Sequence, residues 1–590
     1  MTDELSRFRA EQILPPNPDW QGRSERLIAG ADDEWITPAE LTGLTATPNY
    51  ADTRAYLERL AAESPLINLQ VFGQSALGRD LLVVTASLDH PGGNRAAFDP
   101  AKPVLLVQAG IHSGEIDGKD AGLMLLRDIA WRGKRALLER TNLVFVPILN
   151  VDGHERASAF NRPNQRGPAN QGWRNTAQNL NLNRDFTKLD APEMRALVGL
   201  LRQFDPDLYI DVHVTDGMDY QYDVTYGFQG QRGGWTASPH SARWLQDCYS
   251  RDLDAALRAE GHQPGPLVFE RDPRQPEAGL VSYVFSPRYS QAYGDIVHIP
   301  SVLVENHSLK DYRRRVLGTY VLMEASLKAL AIHGGALRAA RAADRASRAG
   351  EIPVGWQSGE QPTGQVEFLP IAHEQWQSGA SGALEVRWLG RPAAPQKLPL
   401  YPVHPSWQLS RPKAYLVPVT KDEVIARLRH HGVEMQPLAE ARTLTLEMLR
   451  LPQASVAAAA FEGRFLHRAG EPLREQRQQL WPAGSVRVPT NQQRGDLAIL
   501  LLEPQSEDSF FAWGFFAEIL QRVEYCESYL MAPLAEAMMA ADESLRRRFA
   551  AKLAEDASFA ASPDARLAWF YAQTPFYDDA YQLYPVGIER

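Results

Sequence analysis

A histidine and a glutamate three positions apart are the residues of this chain best placed to do chemistry. His112 and Glu115 lie in the run VLLVQAGIHSGEIDGKDAG, directly after the apolar stretch Val104–Ala109. That stretch predicts a buried parallel strand, and a helix is expected to begin near Gly118. The pair therefore lies where open α/β sheets build their ligand sites, just outside the carboxyl end of a strand. Imidazole nitrogen and carboxylate oxygen both bind zinc, and a third ligand with a bound water would complete a catalytic site.

The HxxE pair alone is weak evidence, because a chain with 14 His and 72 acidic residues contains such pairs by chance. Two further apolar runs end on residues of the same chemistry. Residues 207–213 end on His213, and residues 300–305 end on Glu305. The carboxyl ends of parallel strands lie at one edge of their sheet. The sequence therefore predicts that all four side chains meet at that edge.

A polar loop between these strands carries two arginines. It includes GWRNT, which contains Arg174, and NLNLNRDF, which contains Asn183 and Arg184. A guanidinium is a planar donor that can pair with a carboxylate through two parallel hydrogen bonds, a geometry that lysine cannot reproduce. The loop therefore supplies cationic groups close to the predicted site.

In their order along the chain, these residues resemble the signature of the M14 zinc carboxypeptidases, the carboxypeptidase A-like family. That signature is HxxE, an arginine in a W-R-x-T setting, an N-R pair, a histidine that ends a strand and a glutamate that ends a later one. The resemblance covers roughly residues 47–335. The roles that it implies are zinc ligands for one ion per chain (His112, Glu115, His213), general base (Glu305), oxyanion stabilisation (Arg174) and binding of a substrate carboxylate (Asn183, Arg184).

The family also has a mobile tyrosine shortly before the catalytic glutamate. Three tyrosines, Tyr283, Tyr289 and Tyr293, lie in the corresponding stretch SYVFSPRYSQAYGD. The sequence does not choose among them, and we assign the substrate-binding role to Tyr289 as a working hypothesis. The residues of the specificity pocket cannot be aligned at all, so the resemblance predicts the chemistry better than the substrate.

The resemblance implies a metallocarboxypeptidase that hydrolyses the C-terminal peptide bond of peptides with a free carboxylate. Two alternatives stay open. The first is a zinc-dependent amidase or deacylase that acts on N-acyl amino acids or cell-wall peptides, because Arg184 selects a carboxylate without fixing the rest of the substrate. The second is a degenerate module that binds chain ends without cutting them. The ordered presence of three ligands and Glu305 argues against this second alternative.

Composition restricts the class of protein. Apolar residues make up 44% of the chain and charged residues 23%, as in ordinary globular proteins. The net charge of −10 provides no basic surface for nucleic acid, and no run approaches the ~18 consecutive apolar residues of a membrane span. The N-terminus shows no signal peptide, so we expect a cytoplasmic protein, or a secreted or periplasmic one if the true start lies upstream. Two distant cysteines exclude a disulfide framework and a cysteine zinc site.

The pattern of apolar residues also predicts a fold class and a division into domains. We predict an α/β fold with a mixed, mainly parallel sheet covered by helices, followed by a smaller β-rich region and a helical C-terminal segment. The stretch LRAARAADRASRA has little apolar face and predicts a linker helix. The predicted units are an N-terminal extension (1–46), a zinc carboxypeptidase-like catalytic domain (47–335), the linker helix (336–350), a β-rich accessory domain (351–490) and a mainly helical C-terminal region (491–590).

Overall fold

Strands and helices alternate through the first half of the chain. The structure, a computed structural model, describes residues 12–89 and 95–590, so residues 1–11 of the predicted N-terminal extension lie outside the described residues. The strands of this half are β1 (Ile67–Gln74), β2 (Asp80–Ala86), β3 (Val104–Ala109), β4 (Asn142–Val146), β5 (Leu208–Val214), β6 (Val224–Gly227), β7 (Pro264–Pro266), β8 (Leu280–Val281) and β9 (Ser301–Asn306). The helices are α1 (Pro38–Leu41), α2 (Tyr50–Glu63), α3 (Asp117–Trp131), α4 (Val151–Glu155), α5 (Pro192–Phe204), α6 (Pro239–Trp244), α7 (Ser250–Ala259), α8 (Ser290–Ile296) and α9 (Tyr312–Ala346).

Eight of these strands form one mixed sheet. Their order is β1-β2-β4-β3-β5-β9-β6-β7, and the four central strands β4, β3, β5 and β9 run parallel to one another. Every residue of β3 and β5 is buried, because helices and the second half of the chain cover both faces of the sheet. The predicted mixed, mainly parallel sheet covered by helices is confirmed.

Helix α3, which follows the HxxE turn, lies unusually close to the sheet. Two glycines of DGKDAG face the strands, and a Cβ at Gly122 would be only 2.1 Å from the ring of Phe145. A Cβ at Gly118 would be 2.9 Å from the side chain of Ala109. The spacing of these glycines, four residues apart, places both on one helix face. Because these two glycines have no side chain, α3 can pack close to β3, the strand that precedes the site.

Helix α9 corrects one prediction. It runs without interruption from Tyr312 to Ala346, so the separate linker helix predicted at residues 336–350 is wrong. Gly334 and Gly335 lie inside this helix, and Gly334 packs against Pro103, where a Cβ would be 2.7 Å from a ring carbon. By length and composition α9 could span a membrane, but 72% of its most apolar window is buried inside the protein, as in a core helix.

Ion pairs hold the last turns of helix α9 against the rest of the domain. Arg338 and Arg341 each lie 3.0 Å from a carboxylate oxygen of Asp207. Arg341 also pairs with Asp205 at 2.8 Å, and Arg345 pairs with Asp205 at 2.5 Å. Leu337 is buried in the hydrophobic core, but the turns after it have few apolar residues because ion pairs hold them to the domain. Apolar periodicity could not detect that packing.

The second half of the chain is richer in strands. Its strands are β10 (Glu351–Ser358), β11 (Gly364–Phe368), β12 (Ile371–Gln377), β13 (Leu384–Pro392), β14 (Gln396–Tyr401), β15 (Val403–Ser410), β16 (Ala414–Val417), β17 (Gln436–Pro437), β18 (Arg442–Arg450), β19 (Ser455–Phe461), β20 (Arg464–Arg468), β21 (Leu473–Trp481), β22 (Val486–Pro489) and β23 (Leu583–Glu589). Its helices are α10 (Asp422–His430), α11 (Gly495–Leu502), α12 (Ser528–Ala541), α13 (Glu543–Glu555), α14 (Ala557–Ala561) and α15 (Pro563–Tyr571).

The predicted boundary at residue 490 does not separate two structural units. A six-stranded sheet has the order β17-β22-β16-β23-β18-β21, so β23 inserts between strands of the predicted β-rich domain. The second half also shares a hydrophobic core with the catalytic sheet. Leu106 and Phe186 belong to the same buried cluster as Tyr415, Trp513 and Tyr584. The second half is therefore packed onto one face of the first.

We expect Gly122→Ala to destabilise the protein by about 1–3 kcal/mol, because the added methyl overlaps the Phe145 ring in a packed core. Gly199→Ala is the matched control, because Gly199 is exposed in helix α5 with nothing near its Cβ position. Relief of the helix penalty of glycine should stabilise this control by up to ~1 kcal/mol. Urea unfolding midpoints measure both changes, and equal midpoints for the two variants would contradict the close packing of α3.

Candidate active site

Three strand ends and one turn place the predicted site residues at the same edge of the sheet. His112 and Glu115 lie in the turn between β3 and α3, where the backbone N–H of Glu115 donates to the carbonyl of His112 at 2.9 Å. His213 and Glu305 lie near the ends of β5 and β9 and are direct neighbours in the parallel register. The structure thus brings together all four side chains that the strand ends predicted.

Glu115 lies between the two histidines. Its Oε1 is 3.1 Å from His112 Nδ1, and its Oε2 is 2.9 Å from His213 Nδ1. All three groups are buried, and one ligand atom from each lies within 4.8 Å of the others. Two imidazoles and one carboxylate within reach of one another are a donor set found in catalytic zinc sites. These residues therefore fit a zinc ion.

The second ring nitrogen of each imidazole has an oxygen partner from a residue that the sequence analysis did not identify as functional. His112 Nε2 lies 3.0 Å from Asn181 Oδ1, and His213 Nε2 lies 2.8 Å from Asp211 Oδ2. An oxygen acceptor at Nε2 fixes the proton there and leaves Nδ1 free to bind a metal. Asp211 had a usable signal, because residues two apart on a strand point to the same face.

Charge and burial set the ionisation of the triad. Burial lowers the pKa of His112 to about 4, so its imidazole is neutral at neutral pH. Burial opposes ionisation of Glu115, but His112 and Arg162 outweigh it and hold the pKa of this carboxyl well below its usual range. Burial also disfavours the charged form of His213, yet Asp211 and Glu115 raise its pKa well above the usual value. A metal ion would compete with that proton, because ligands bind in their deprotonated form.

Arg162 is a site residue that sequence reasoning missed. Its Nη2 lies 3.0 Å from Glu115 Oε1, and the side chain packs over Gly114, where a Cβ would be 2.6 Å from Arg162 Cγ. Gln165 fixes this arrangement by accepting from Arg162 Nε at 3.2 Å and donating to the carbonyl of Gly114 at 2.9 Å. Arg162 belongs to no motif, and only the folding of its loop over the HxxE turn reveals it.

Glu305 is a buried carboxylate at the wall of the cavity. Its Oε2 is buried without a hydrogen-bond partner in the described part of the chain. Burial raises the pKa of Glu305 to about 8, and the negative charges of Glu115 and Asp216 act in the same direction. A nearby metal cation would favour the ionised form. A carboxyl group that lines the cavity and is not held in an ion pair by any described residue can accept and return a proton.

The predicted arginines lie on the other side of the triad. Arg174 Nη1 is 3.3 Å from Glu115 Oε1, and its side chain remains 36% exposed. Arg184 is half-buried, and burial lowers the pKa of its guanidinium. It donates to the carbonyl of Asn183 at 2.8 Å, and its guanidinium carbon lies 4.2 Å from the centre of the Tyr289 ring. Within the described residues, no carboxylate forms an ion pair with Arg184, so its charge is available to a ligand.

The structure narrows the choice among the three tyrosines. Tyr293 is buried, and its hydroxyl hydrogen-bonds with His431 Nδ1 at 3.0 Å, away from the cavity. Tyr283 and Tyr289 both line the cavity. Tyr289 is the one that stacks on Arg184, which supports its selection as the substrate-binding tyrosine.

A cavity of about 400 Å³ joins these groups. Every residue that the sequence placed in the site lines it, and none is left elsewhere in the fold. Apolar walls from Leu267, Phe269 and Leu303 lie beside the charged residues. The arrangement can bind a metal ion and a substrate carboxylate in one space that a proton acceptor also lines.

Comparisons with known proteins find similarity to carboxypeptidases. Residues 53–260 match the family described as zinc carboxypeptidase, peptidase M14. Carboxypeptidase 2 of Trichophyton tonsurans is 22% identical over 420 residues, which are 69% of this chain and 73% of that protein. Carboxypeptidase Z of Gallus gallus is 30% identical over 158 residues, 25% of this chain and 23% of that protein. A solved metallo-carboxypeptidase from Burkholderia cenocepacia aligns with a TM-score of 0.35 and 16% identity, over 48% of this chain and 69% of its own.

Removal of one predicted ligand should release the metal. We expect His213→Ala, purified in the presence of zinc, to hold far less than one ion per chain, because a site with two protein ligands binds zinc poorly. His298→Ala is the matched control, because His298 is also buried but hydrogen-bonds with Ser238 outside the site. Elemental analysis of both proteins measures the difference. Unchanged zinc in His213→Ala would remove His213 from the ligand set.

Proposed function

We propose that this chain, an M14 zinc carboxypeptidase-like protein and a peptide hydrolase, removes the C-terminal residue from peptides at a zinc ion held by His112, Glu115 and His213. One observation carries the proposal: a single cavity is lined by the ligand triad, by Glu305 and by Arg184, whose guanidinium has no carboxylate partner among the described residues. The relatives named carboxypeptidase support a peptide substrate.

Zinc, when bound, would polarise the scissile carbonyl and lower the pKa of a bound water. The residues of the chain carry out the remaining steps. Glu305 accepts a proton from the attacking water at its carboxylate and returns it to the leaving amine, which is general acid-base work worth about 10²–10⁴ in rate. Arg174, which lies beside Glu115 and remains partly exposed to the cavity, stabilises the negative charge that develops on the carbonyl oxygen.

Arg184 and Asn183 hold the substrate carboxylate. The guanidinium of Arg184 has no carboxylate partner among the described residues and is partly desolvated, so a ligand carboxylate gains a charge-assisted pair there. Tyr289 covers one face of that guanidinium and leaves its nitrogen edge to the ligand. Binding of the chain end on one side of the metal places the terminal peptide bond at the site of attack. This arrangement supports the proposal of an exopeptidase.

Replacement of the proton acceptor tests the mechanism. We expect Glu305→Gln to keep fold and zinc while kcat falls by at least ~10², because glutamine has nearly the same shape but cannot accept a proton. KM should change much less. Glu503→Gln is the matched control, because Glu503 is likewise buried, with its pKa raised by burial to about 7, but lies outside the cavity. A Glu305→Gln enzyme with near wild-type kcat would assign the base to another residue.

The carboxylate requirement separates a carboxypeptidase from an amidase. Wild type should cut a free-acid peptide at least about 30-fold faster, in kcat/KM, than the same peptide with a C-terminal amide, because unpairing a buried charge costs about 2 kcal/mol or more. Arg184→Ala should remove most of this difference by slowing only the free acid.

Arg184→Lys is the control for this pair of substrates. It keeps the charge but loses the planar fork, and so should recover only part of the selectivity. If wild type hydrolysed acid and amide at similar rates, the exopeptidase proposal would fail, and the amidase alternative would replace it.

A further inference from the structure

The second half of the chain contacts the loop that carries Tyr289 through one buried carboxylate. Asp508 lies between helix α11 and the segment that contains Trp513, and its side chain is fully buried. Its Oδ1 is 2.5 Å from Arg288 Nε, and its Oδ2 accepts from the backbone N–H of Arg288 at 2.9 Å. Both oxygens of one carboxylate therefore hold the side chain and the backbone of Arg288.

Two more contacts complete this attachment. Arg288 Nη2 donates to the carbonyl of Glu507 at 3.0 Å, and the guanidinium carbon lies 5.0 Å from the centre of the Trp513 ring. Arg288 is itself 9% exposed, so the pair is shielded from water. A buried ion pair is seldom more stabilising than a well-packed apolar pair. Stability alone therefore does not explain why an arginine and an aspartate occupy these positions.

The residues that follow Arg288 contact the proposed carboxylate-binding residues. Tyr289 stacks on Arg184 at 4.2 Å. The backbone N–H of Ser290 donates to Asn183 Oδ1 at 3.1 Å. A shift of Arg288 would move both contacts, because its two neighbours in sequence make them. We call Asn183, Arg184 and Tyr289 the carboxylate clamp.

A second contact between the halves involves the loop that carries Asn183 and Arg184, which we call the clamp loop. Glu462, at the tip of the β19–β20 hairpin, accepts from the backbone N–H of Asn181 at 3.3 Å. The neighbouring Arg464 forms two hydrogen bonds of 2.7 Å with Asp190. The second half thus contacts the clamp loop before Asn183 and after Arg184, and it contacts the loop that carries Tyr289 at Arg288.

We propose that Asp508 is a positioning residue for the carboxylate clamp, and that the second half of the chain is thereby part of the substrate-binding apparatus. Asp508 fixes Arg288, and Arg288 fixes the placement of Tyr289 and Ser290 against Arg184 and Asn183. This inference rests on the proposed function, because the clamp must bind a substrate carboxylate for its position to matter.

The test uses Asp508→Asn in the full-length, zinc-loaded protein. Asparagine keeps the volume but loses the charge that holds Arg288. Asp496→Asn is the matched control, because Asp496 forms an equally short and similarly buried pair with Arg411 in the second half, away from the clamp. For each protein we would measure kcat and KM on a free-acid peptide. We would also measure the inhibition constants of the released amino acid, which carries a carboxylate, and of acetohydroxamate, which binds zinc without one.

We expect KM and the amino-acid inhibition constant of Asp508→Asn to rise at least ~10-fold, because small misplacements of binding groups have large effects. The acetohydroxamate constant and the zinc content should stay within about twofold of wild type, and Asp496→Asn should match wild type throughout. A merely structural role would move both inhibition constants together or neither. Asp508→Asn values equal to those of Asp496→Asn would overturn the proposal.

Two further outcomes keep the test decisive. If Asp508→Asn fails to fold, Arg288→Gln takes its place, because glutamine removes the ion pair with Asp508 while the backbone N–H of residue 288 stays in place. An unchanged KM in that variant would overturn the proposal. Failure of the proposed function is distinct, because it would appear in the wild type as a lack of selectivity between free-acid and amide peptides.

Discussion

The carboxylate of Glu115 is buried with two imidazoles and two guanidiniums around its two oxygens. Removal of a lone carboxylate from water costs several kcal/mol, so this charge can be buried only where partners surround it. Those partners come from separate places in the sequence: the HxxE turn, the end of β5 and the loop of residues 160–175. Assembly of the site therefore requires the whole edge of the sheet. The close packing of α3 on β3 and β4 serves the same requirement, because it fixes the turn from which Glu115 projects.

The sequence alone could predict where the site lies because its chemically active residues follow or end buried strands. Buried parallel strands are continuous apolar runs, and their final residues must share one edge, so the positions of His112, His213 and Glu305 could be inferred without a structure. The M14 family assignment and the fold class that followed are confirmed by the family match and by the observed sheet. The roles of individual residues remain proposals that rest on their placement.

What the sequence could not predict is packing between distant segments. Arg162 contacts Glu115 because its loop folds over the HxxE turn. No local sequence pattern predicts that contact. The prediction of a separate linker helix was wrong because ion pairs with Asp205 and Asp207 hold the end of helix α9. A packed helix usually shows a continuous row of apolar residues, and this segment does not. The second half was expected to be a separate accessory region. Its shared core with the catalytic sheet and its contacts with the clamp loop instead make the two halves one structural unit.

The position of β23 has a consequence for how the second half acquires its structure. This strand pairs with β16 on one side and β18 on the other, so without it the six-stranded sheet is two fragments, β17-β22-β16 and β18-β21. Each fragment can form from nearer segments, but they cannot join until residues 583–589 have been synthesised. Until then the inner edges of β16 and β18 expose unpaired backbone groups, which favour pairing with other chains. Joining over such a long sequence separation is slow. From this strand order we expect the chain to be more prone to aggregation before β23 is in place than after it.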